Sequence, residues 1–127
     1  MKSLIYLSSP YTAKDSVGTT SARELQDWRH LQVIEATASL ISRGLLVFSP
    51  IVHSVPLVAH GMGTKWDDWA QYDLSFIDHC QKFAVLKLNG WKKSTGVQAE
   101  LAFARSIWLP CLEVDPENYE IGPFQWE

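Results

Sequence analysis

Short apolar runs alternate with longer amphipathic stretches along the whole chain. The runs at residues 4–7 and 45–48, and the apolar core of residues 82–88, each stop at polar or turn-forming residues, as buried parallel strands do. A fourth run at residues 109–114 contains Pro110, which a strand tolerates only at its beginning or at a sheet edge. We therefore expect four strands, while the aromatic C-terminal tail has no periodicity that predicts an element.

The longest amphipathic stretch begins at a capping box. Ser21 and Glu24 have the required spacing, and Gly44 is a typical C-terminal stop, so we expect one helix between them. The apolar positions at helical spacing, which mark its expected core-facing side, are Leu25, Trp28, Leu31, Ile34, Ala38 and Ile41.

The second half of the chain predicts two more helices. Thr64 is the candidate cap of the first, whose apolar stripe is interrupted by Asp73. The other covers residues 94–107, with Ser94 as a favourable N-cap. Because residues 51–63 contain one proline and two glycines, we expect a loop there with at most a short helix.

This alternation predicts an α/β fold. Strands separated by helices of this length form right-handed crossovers and a mostly parallel sheet, here of four or five strands, covered on both faces. Ligands of such sheets bind beyond the carboxyl ends of the strands. We therefore expect residues 8–11, 49–54 and 89–96 to meet at one edge and to form the site.

Length and charge narrow the function classes. The 127 residues fit one domain, and a net charge of −3 without a basic stripe makes a nucleic-acid polymer an unexpected partner. The apolar runs are far shorter than a membrane span, and no signal-peptide core is visible, so we expect a cytoplasmic protein. No histidine has a partner at metal-ligand spacing, and dinucleotide and P-loop motifs are absent, so neither metal nor cofactor is expected.

The most informative stretch lies around the start of the last helix. Ser94 caps it, and Gly96 removes a side chain where free backbone N–H groups can meet a phosphate or carboxylate. Glu100 lies one turn beyond Gly96 on the same side of the helix. A cleft-facing nucleophile and a solvated surface residue are both open interpretations of this glutamate.

A second carboxylate suggests glycosyl chemistry. Asp73 interrupts an apolar stripe on a helix that packs on the same sheet, so it can approach the pocket of Glu100. Paired carboxylates suit such chemistry because one attacks the anomeric carbon and the other handles the proton of the leaving group. Tyr6 is a candidate to orient a carboxylate, and His53 to contact phosphate or sugar. Structural roles for Asp73, Tyr6 and His53 stay open.

Three blocks resemble one enzyme superfamily. IYLSSPY at residues 5–11, YDLSFI at 72–77 and STGVQAELAFA at 94–104 are similar to the nucleoside 2-deoxyribosyltransferases and the related 2'-deoxynucleoside 5'-monophosphate N-glycosidases. Together with Ser49-Pro50-Ile51 and His53, they look most like an uncharacterised bacterial and phage branch of this superfamily.

The resemblance implies a fold and a mechanism. The fold is a flavodoxin-like, Rossmann-like three-layer sandwich. Glu100 attacks C1' to form a glycosyl-enzyme, Tyr6 orients Glu100, and Asp73 contacts or protonates the departing base. Substrate-binding residues are expected at Ser9, Pro10, Tyr11, His53, Ser94 and Gly96. Family members also complete their sites across subunits, which implies a homo-oligomer, a dimer or larger.

The residue at position 94 favours one subfamily. Transferases usually carry an aspartate six residues before the nucleophile, whereas the monophosphate hydrolases have a serine that helps to hold the 5'-phosphate. Ser94 therefore favours a nucleotide substrate. The leading hypothesis is a metal-free N-glycosidase or N-deoxyribosyltransferase acting on a nucleotide or nucleoside. The alternatives are a non-catalytic nucleotide-binding sensor or interaction module, and a structural oligomeric subunit.

Overall fold

Strands and helices alternate along the chain in a computed structural model that describes residues 2–13 and 17–126. The elements are β1 (Leu4–Ser8), α1 (Ala22–Ser42), β2 (Leu46–Phe48), α2 (Pro50–Val58), α3 (Trp66–Asp78), β3 (Lys82–Leu86), α4 (Thr95–Ser106), β4 (Cys111–Val114) and β5 (Ile121–Pro123). A 3₁₀ turn, Trp91–Lys93, leads into α4. No helix in these described ranges is both long and apolar enough to cross a bilayer.

The strands form one sheet in the order β2-β1-β3-β4-β5. The pairs β1–β2, β1–β3 and β3–β4 are parallel, and β5 runs antiparallel to β4. This order places the topological switch point between β1 and β3. The predicted α/β, flavodoxin-like fold is therefore confirmed, with β5 as the fifth strand in the tail that had no interpretable pattern.

Strand β1 separates two hydrophobic cores. Because side chains alternate along a strand, Ile5 and Leu7 pack with residues of α1. Tyr6 points to the opposite face and packs with residues of α3 and α4. Ser8 follows Tyr6 by two positions, so it lies on that second face and under α4.

Helix α1 begins where the sequence predicts. The Ser21 hydroxyl accepts a hydrogen bond from the Glu24 amide at 3.1 Å, and the Glu24 carboxylate accepts one from the Ser21 amide at 3.3 Å. Gly44 follows the helix at φ +90°, a conformation that favours glycine. The capping box and the stop are thus confirmed.

The predicted core-facing side of α1 is wrong. Trp28, Leu31, Ile34 and Ile41 are exposed to 45%, 52%, 39% and 51%, and Ala38 is exposed too. The side chains buried against the sheet are Arg29, Val33, Ala36, Thr37 and Leu40. Apolar residues occur around the whole helix, so periodicity does not single out one face, and the contact with β1 decides.

The segment expected to be a loop with at most a short helix contains a nine-residue helix, α2, which begins one residue before that segment. The Ser49 hydroxyl accepts from the Val52 amide at 3.2 Å, and Pro50 occupies the first turn, where its missing N–H is not needed. The same Ser49-Pro50 pair that ends a strand therefore also starts a helix.

The predicted cap of α3 is also wrong. The helix begins at Trp66, one residue later than a Thr64 cap requires, and Lys65 is its N-cap. The Lys65 amide donates to the Asp68 carboxylate at 3.1 Å, so a side chain inside the first turn satisfies the free backbone donor. The interrupted apolar stripe is confirmed, because Asp73 and Ile77 are both buried.

Candidate active site

A cleft of about 780 Å³ opens beyond the carboxyl ends of β1, β2 and β3. All three segments expected at this edge contribute to its wall. The remainder comes from residues 17 and 64–65 and from side chains of α1, α2, α3 and α4. The lining residues that follow these strands are Ser9, Tyr11, Thr12, Ala13, Pro50, Ile51, Ser54, Gly90, Lys93, Ser94, Thr95 and Gly96. The predicted meeting of the three loops is confirmed.

Glu100 lies on the cleft wall and is only 4% exposed. The Tyr6 hydroxyl donates a hydrogen bond to Oε2, and the Ser8 hydroxyl donates one to Oε1 at 2.7 Å. Strand alternation brings these two hydroxyls to the face under α4. Each carboxyl oxygen thus has its own donor, which fixes the orientation of the group.

Asp73 reaches the same cleft from α3 and is 7% exposed. Its Oδ1 is buried without a hydrogen-bond partner in the described part of the chain. Trp66 and Trp69 precede it at helical spacing and also line the cleft. The side of α3 that faces the cleft therefore combines two indole rings with one deep carboxyl group.

Burial dominates the electrostatics of this pair. It raises the pKa of Glu100, the charge of Asp73 raises that pKa further, and the hydroxyls of Tyr6 and Ser8 lower it. Burial raises the pKa of Asp73 as well, whereas the side-chain hydrogen bond between Asp73 and Glu100 lowers the pKa of Asp73 and raises that of Glu100. Two buried carboxylates that interact do not ionise together near neutral pH, so the pair retains one proton. Burial also raises the pKa of Tyr6, which remains a donor.

The N-terminus of α4 forms the other end of the cleft. The Ser94 hydroxyl accepts from the Val97 amide at 3.2 Å, which confirms the predicted cap. Its own O–H stays available to donate. Gly96 also lines the cleft, so the positive end of the helix dipole lies at the cleft wall, a position that favours an anion.

The structure brings most of the predicted site residues together. Six of them line the cleft, namely Ser9, Tyr11, Asp73, Ser94, Gly96 and Glu100. Tyr6 lies directly beneath, fully buried against Glu100.

Pro10 and His53 lie away from the cleft wall. Pro10 is fully buried. His53 lies on another side of α2, where Nε2 is 3.4 Å from the Tyr72 hydroxyl and the two rings stack at 5.7 Å. Because α2 is a helix rather than a loop, His53 and Ser54 point in different directions, and Ser54 is the one that lines the cleft.

Several side chains that form the cleft or support it from beneath are not singled out by the sequence. Ser8 lies in the expected segment 8–11 and donates to Glu100 from beneath the cleft, and this contact had a usable signal, since Ser8 follows Tyr6 by two positions on a strand. Arg29 had none, because an arginine within a long helix is usually solvated. Trp66 and Trp69 also had a usable signal, since their spacing to Asp73 places all three on one side of α3. Within residues 2–13 and 17–126, no group of three His, Cys, Asp or Glu side chains could hold a metal ion.

The fold and cleft define an α/β protein with a buried carboxylate pair beside the switch point of its sheet. Residues 3–114 match the family described as Domain of unknown function (DUF1937), and the chain belongs to this family. No curated protein matches the chain.

Proposed function

We propose that the protein cleaves the N-glycosidic bond of a nucleoside or (deoxy)nucleoside 5'-monophosphate through a glycosyl-enzyme on Glu100. One observation carries this proposal: Glu100 is a buried carboxyl on the wall of a cleft, with both oxygens held by hydroxyls and a second carboxyl, Asp73, close enough to interact. Fixed paired carboxyls are the arrangement that glycosyl transfer with a covalent intermediate requires.

The reaction proceeds in two steps. A Glu100 oxygen attacks C1', the C1'–N bond breaks, and its electron pair goes to the base, which takes a proton from Asp73. Water or a second base then attacks C1' of the intermediate, releases Glu100 and returns a proton to Asp73. Hydrolysis and transfer differ only in this acceptor.

The hydrogen bonds support this division of roles. Tyr6 and Ser8 both donate to Glu100, and such bonds stabilise the ionised form that a nucleophile needs. In the free protein the pKa of Glu100, raised to about 8, exceeds that of Asp73, raised to about 6, so Glu100 holds the shared proton there. The proposed mechanism requires substrate binding to transfer this proton to Asp73, where burial favours the neutral acid.

The arrangement of α4 favours a nucleotide over a nucleoside. Gly96 and Glu100 are four residues apart, which is about 6 Å along a helix. This rise is comparable to the reach from C1' to the 5'-phosphate of a nucleotide. A phosphate at Ser94 and Gly96 thus leaves C1' near Glu100, and the Ser94 hydroxyl donates to the phosphate without repelling it.

A non-catalytic nucleotide-binding module is the alternative. Such a protein has no reason to bring two carboxyl groups to an anionic ligand, so the pair of Glu100 and Asp73 favours the enzyme. No similar feature favours a purely structural subunit, although the exposed side of α1 points to self-association in either case.

The enzyme is proposed to act as a cytoplasmic homo-oligomer, with α1 as the contact. Trp28 and Ile41 lie equally far from the middle of the exposed apolar stripe, as do Leu31 and Ala38. An antiparallel second copy of α1 therefore places Trp28 opposite Ile41 and Leu31 opposite Ala38, which suits a two-fold interface. Such a stripe on one helix marks an interaction surface.

The test is a substrate panel. The protein is incubated with nucleosides and their 5'-monophosphates, with and without an acceptor base, and released base is followed by chromatography. We expect base release by the wild type and none by Glu100→Gln. Ligand binding without base release by the wild type would support the sensor instead.

A further inference from the structure

A buried guanidinium lies on the wall of the cleft. Arg29 of α1 is only 8% exposed and donates to three backbone carbonyls: Tyr11 at 3.4 Å, Thr12 at 3.0 Å and Asn89 at 3.3 Å. Its Nε has no partner among the described residues. No carboxylate in the described ranges neutralises this side chain, and burial lowers its pKa. Among the described residues, this buried cation therefore has no counter-ion.

Gly90 shows where this cation lies relative to α4. A Cβ at Gly90, whose φ is +98°, would be 2.5 Å from Arg29 Nη2, so the guanidinium packs directly on this residue. Gly90 opens the turn that leads through Lys93 to Ser94, the N-cap of α4. Arg29 and the N-terminus of α4 therefore line the cleft at the two ends of this short turn, and Lys93 of the turn lines it too.

We propose that Arg29 and the N-terminus of α4 form an anion subsite that binds the 5'-phosphate of the substrate, with Arg29 as the specificity-determining residue. The inference rests on the proposed function and adds the positive charge that the pair of Ser94 and Gly96 lacks. A dianionic phosphate supplies the counter-charge that Arg29 has nowhere in the described structure, and charge-assisted hydrogen bonds inside a cleft are strong. Nucleosides lack the phosphate, so their binding does not depend on Arg29.

Binding measurements test the subsite without depending on turnover. In the Glu100→Gln background, which keeps ligands intact, calorimetry compares a 5'-monophosphate with its nucleoside. Arg29→Gln is expected to weaken the monophosphate at least tenfold and the nucleoside less than twofold. Arg29→Lys retains part of the binding, because the charge remains and the planar fork is lost. Arg23→Gln is the matched control, since it removes an exposed arginine of the same helix, and it leaves both affinities within twofold.

The outcomes separate this proposal from the proposed function. Equal weakening of both ligands by Arg29→Gln would overturn the subsite and leave Arg29 as a tie between two loops. Base release from monophosphates and nucleosides alike, unaffected by Arg29→Gln, would also overturn it while the glycosidase stands. Arg29-dependent monophosphate binding without base release by the wild type supports the subsite and refutes the glycosidase.

Inorganic phosphate covers the case in which Arg29→Gln does not fold. Added to the Glu100→Gln protein, it is expected to raise the thermal unfolding temperature and to compete with the 5'-monophosphate but not with the nucleoside. Added salt at equal ionic strength, with chloride as the anion, is the control. A phosphate effect no larger than the chloride effect would contradict the proposal.

Discussion

Helices α1 and α4 pack on opposite faces of the same sheet, and each places a charged residue in the interior. In α4 the buried charge is Glu100, which two hydroxyl groups of β1 satisfy from below. In α1 it is Arg29, whose hydrogen-bond partners in the described ranges are backbone carbonyls, while four large apolar side chains of the same helix are exposed. Both helices thus depart from the rule that charged side chains stay in solvent, but the partners of the buried charge differ.

The difference indicates which molecule satisfies each buried charge. The buried carboxyl of α4 has its hydrogen-bond donors within the chain, which is typical of a catalytic site held in a fixed geometry. Two features of α1 have no partner in the described chain. The Arg29 guanidinium has no counter-ion there, and the apolar stripe is left exposed. We propose that a phosphate is the counter-ion of Arg29 and that another copy of the protein covers the apolar stripe.

The largest loss of activity is expected from a substitution in α4. Glu100→Gln removes the nucleophile but keeps the shape of the side chain, so base release should fall by about three or more orders of magnitude. Circular dichroism of the variant should match the wild type. Retention of more than about a tenth of the wild-type turnover would refute a covalent role, since a lost nucleophile costs far more.

The partner carboxyl should give a smaller and more selective effect. Asp73→Asn cannot deliver a proton, so cleavage of natural nucleosides should slow by about 10² to 10⁴. Substrates whose leaving group departs as a stable anion should slow much less. Steady-state rates on both kinds of substrate provide the test, and equal losses on both would instead indicate a structural role for Asp73.

The proposed oligomer contact of α1 can be disrupted by substitutions that leave the cleft residues unchanged. A double variant, Leu31→Lys with Ile34→Lys, places charges in the middle of the exposed stripe and should raise the dissociation constant of the oligomer at least tenfold. Analytical ultracentrifugation measures it. Met62→Lys, a matched change at an exposed apolar residue elsewhere, should have no effect. A wild type that stays monomeric at high concentration would contradict the assignment of α1.

The proton held by the pair of Glu100 and Asp73 should make the free energy of unfolding depend on pH. Burial raises the pKa of Glu100, so the folded protein holds a proton that the unfolded chain releases near the ordinary glutamate pKa of about 4.3. The folded state then binds more protons, and stability falls as pH rises from that value towards the raised pKa. Glu100→Gln should flatten this slope in thermal unfolding from mildly acidic to mildly alkaline pH. Parallel slopes would mean that the pair holds no extra proton.

Position 94 should give the smallest effect. Ser94→Ala loses one hydroxyl while the backbone donors remain, so 5'-monophosphate binding should weaken by about 1 to 3 kcal/mol. Ser94→Asp brings a negative charge to the phosphate and should weaken monophosphates selectively. Calorimetry with nucleosides is the reference. A preference for monophosphates that survives Ser94→Asp would mean that the phosphate lies elsewhere.

Local signals explain which parts were predictable from the sequence. The strand β1 and the cap of α4 depend on a few neighbouring residues, and Asp73 was visible because it interrupts an apolar stripe. The core-facing side of α1, the strand β5 and the position of His53 depend on what packs against them, and the local pattern does not contain that information. Arg29 joined the cleft for the same tertiary reason, since its partners are carbonyls of two distant loops.

The central claim is a covalent bond between Glu100 and the sugar, and mass spectrometry of a trapped intermediate tests it most directly. A 2-fluoro sugar analogue of the best substrate slows breakdown of the glycosyl-enzyme more than its formation, so the adduct should accumulate. Our account predicts added mass equal to the fluorinated sugar, or its 5'-phosphate, on the peptide that contains Glu100, and none in Glu100→Gln. Turnover of the natural substrate with no adduct, or an adduct on a different residue, would contradict it.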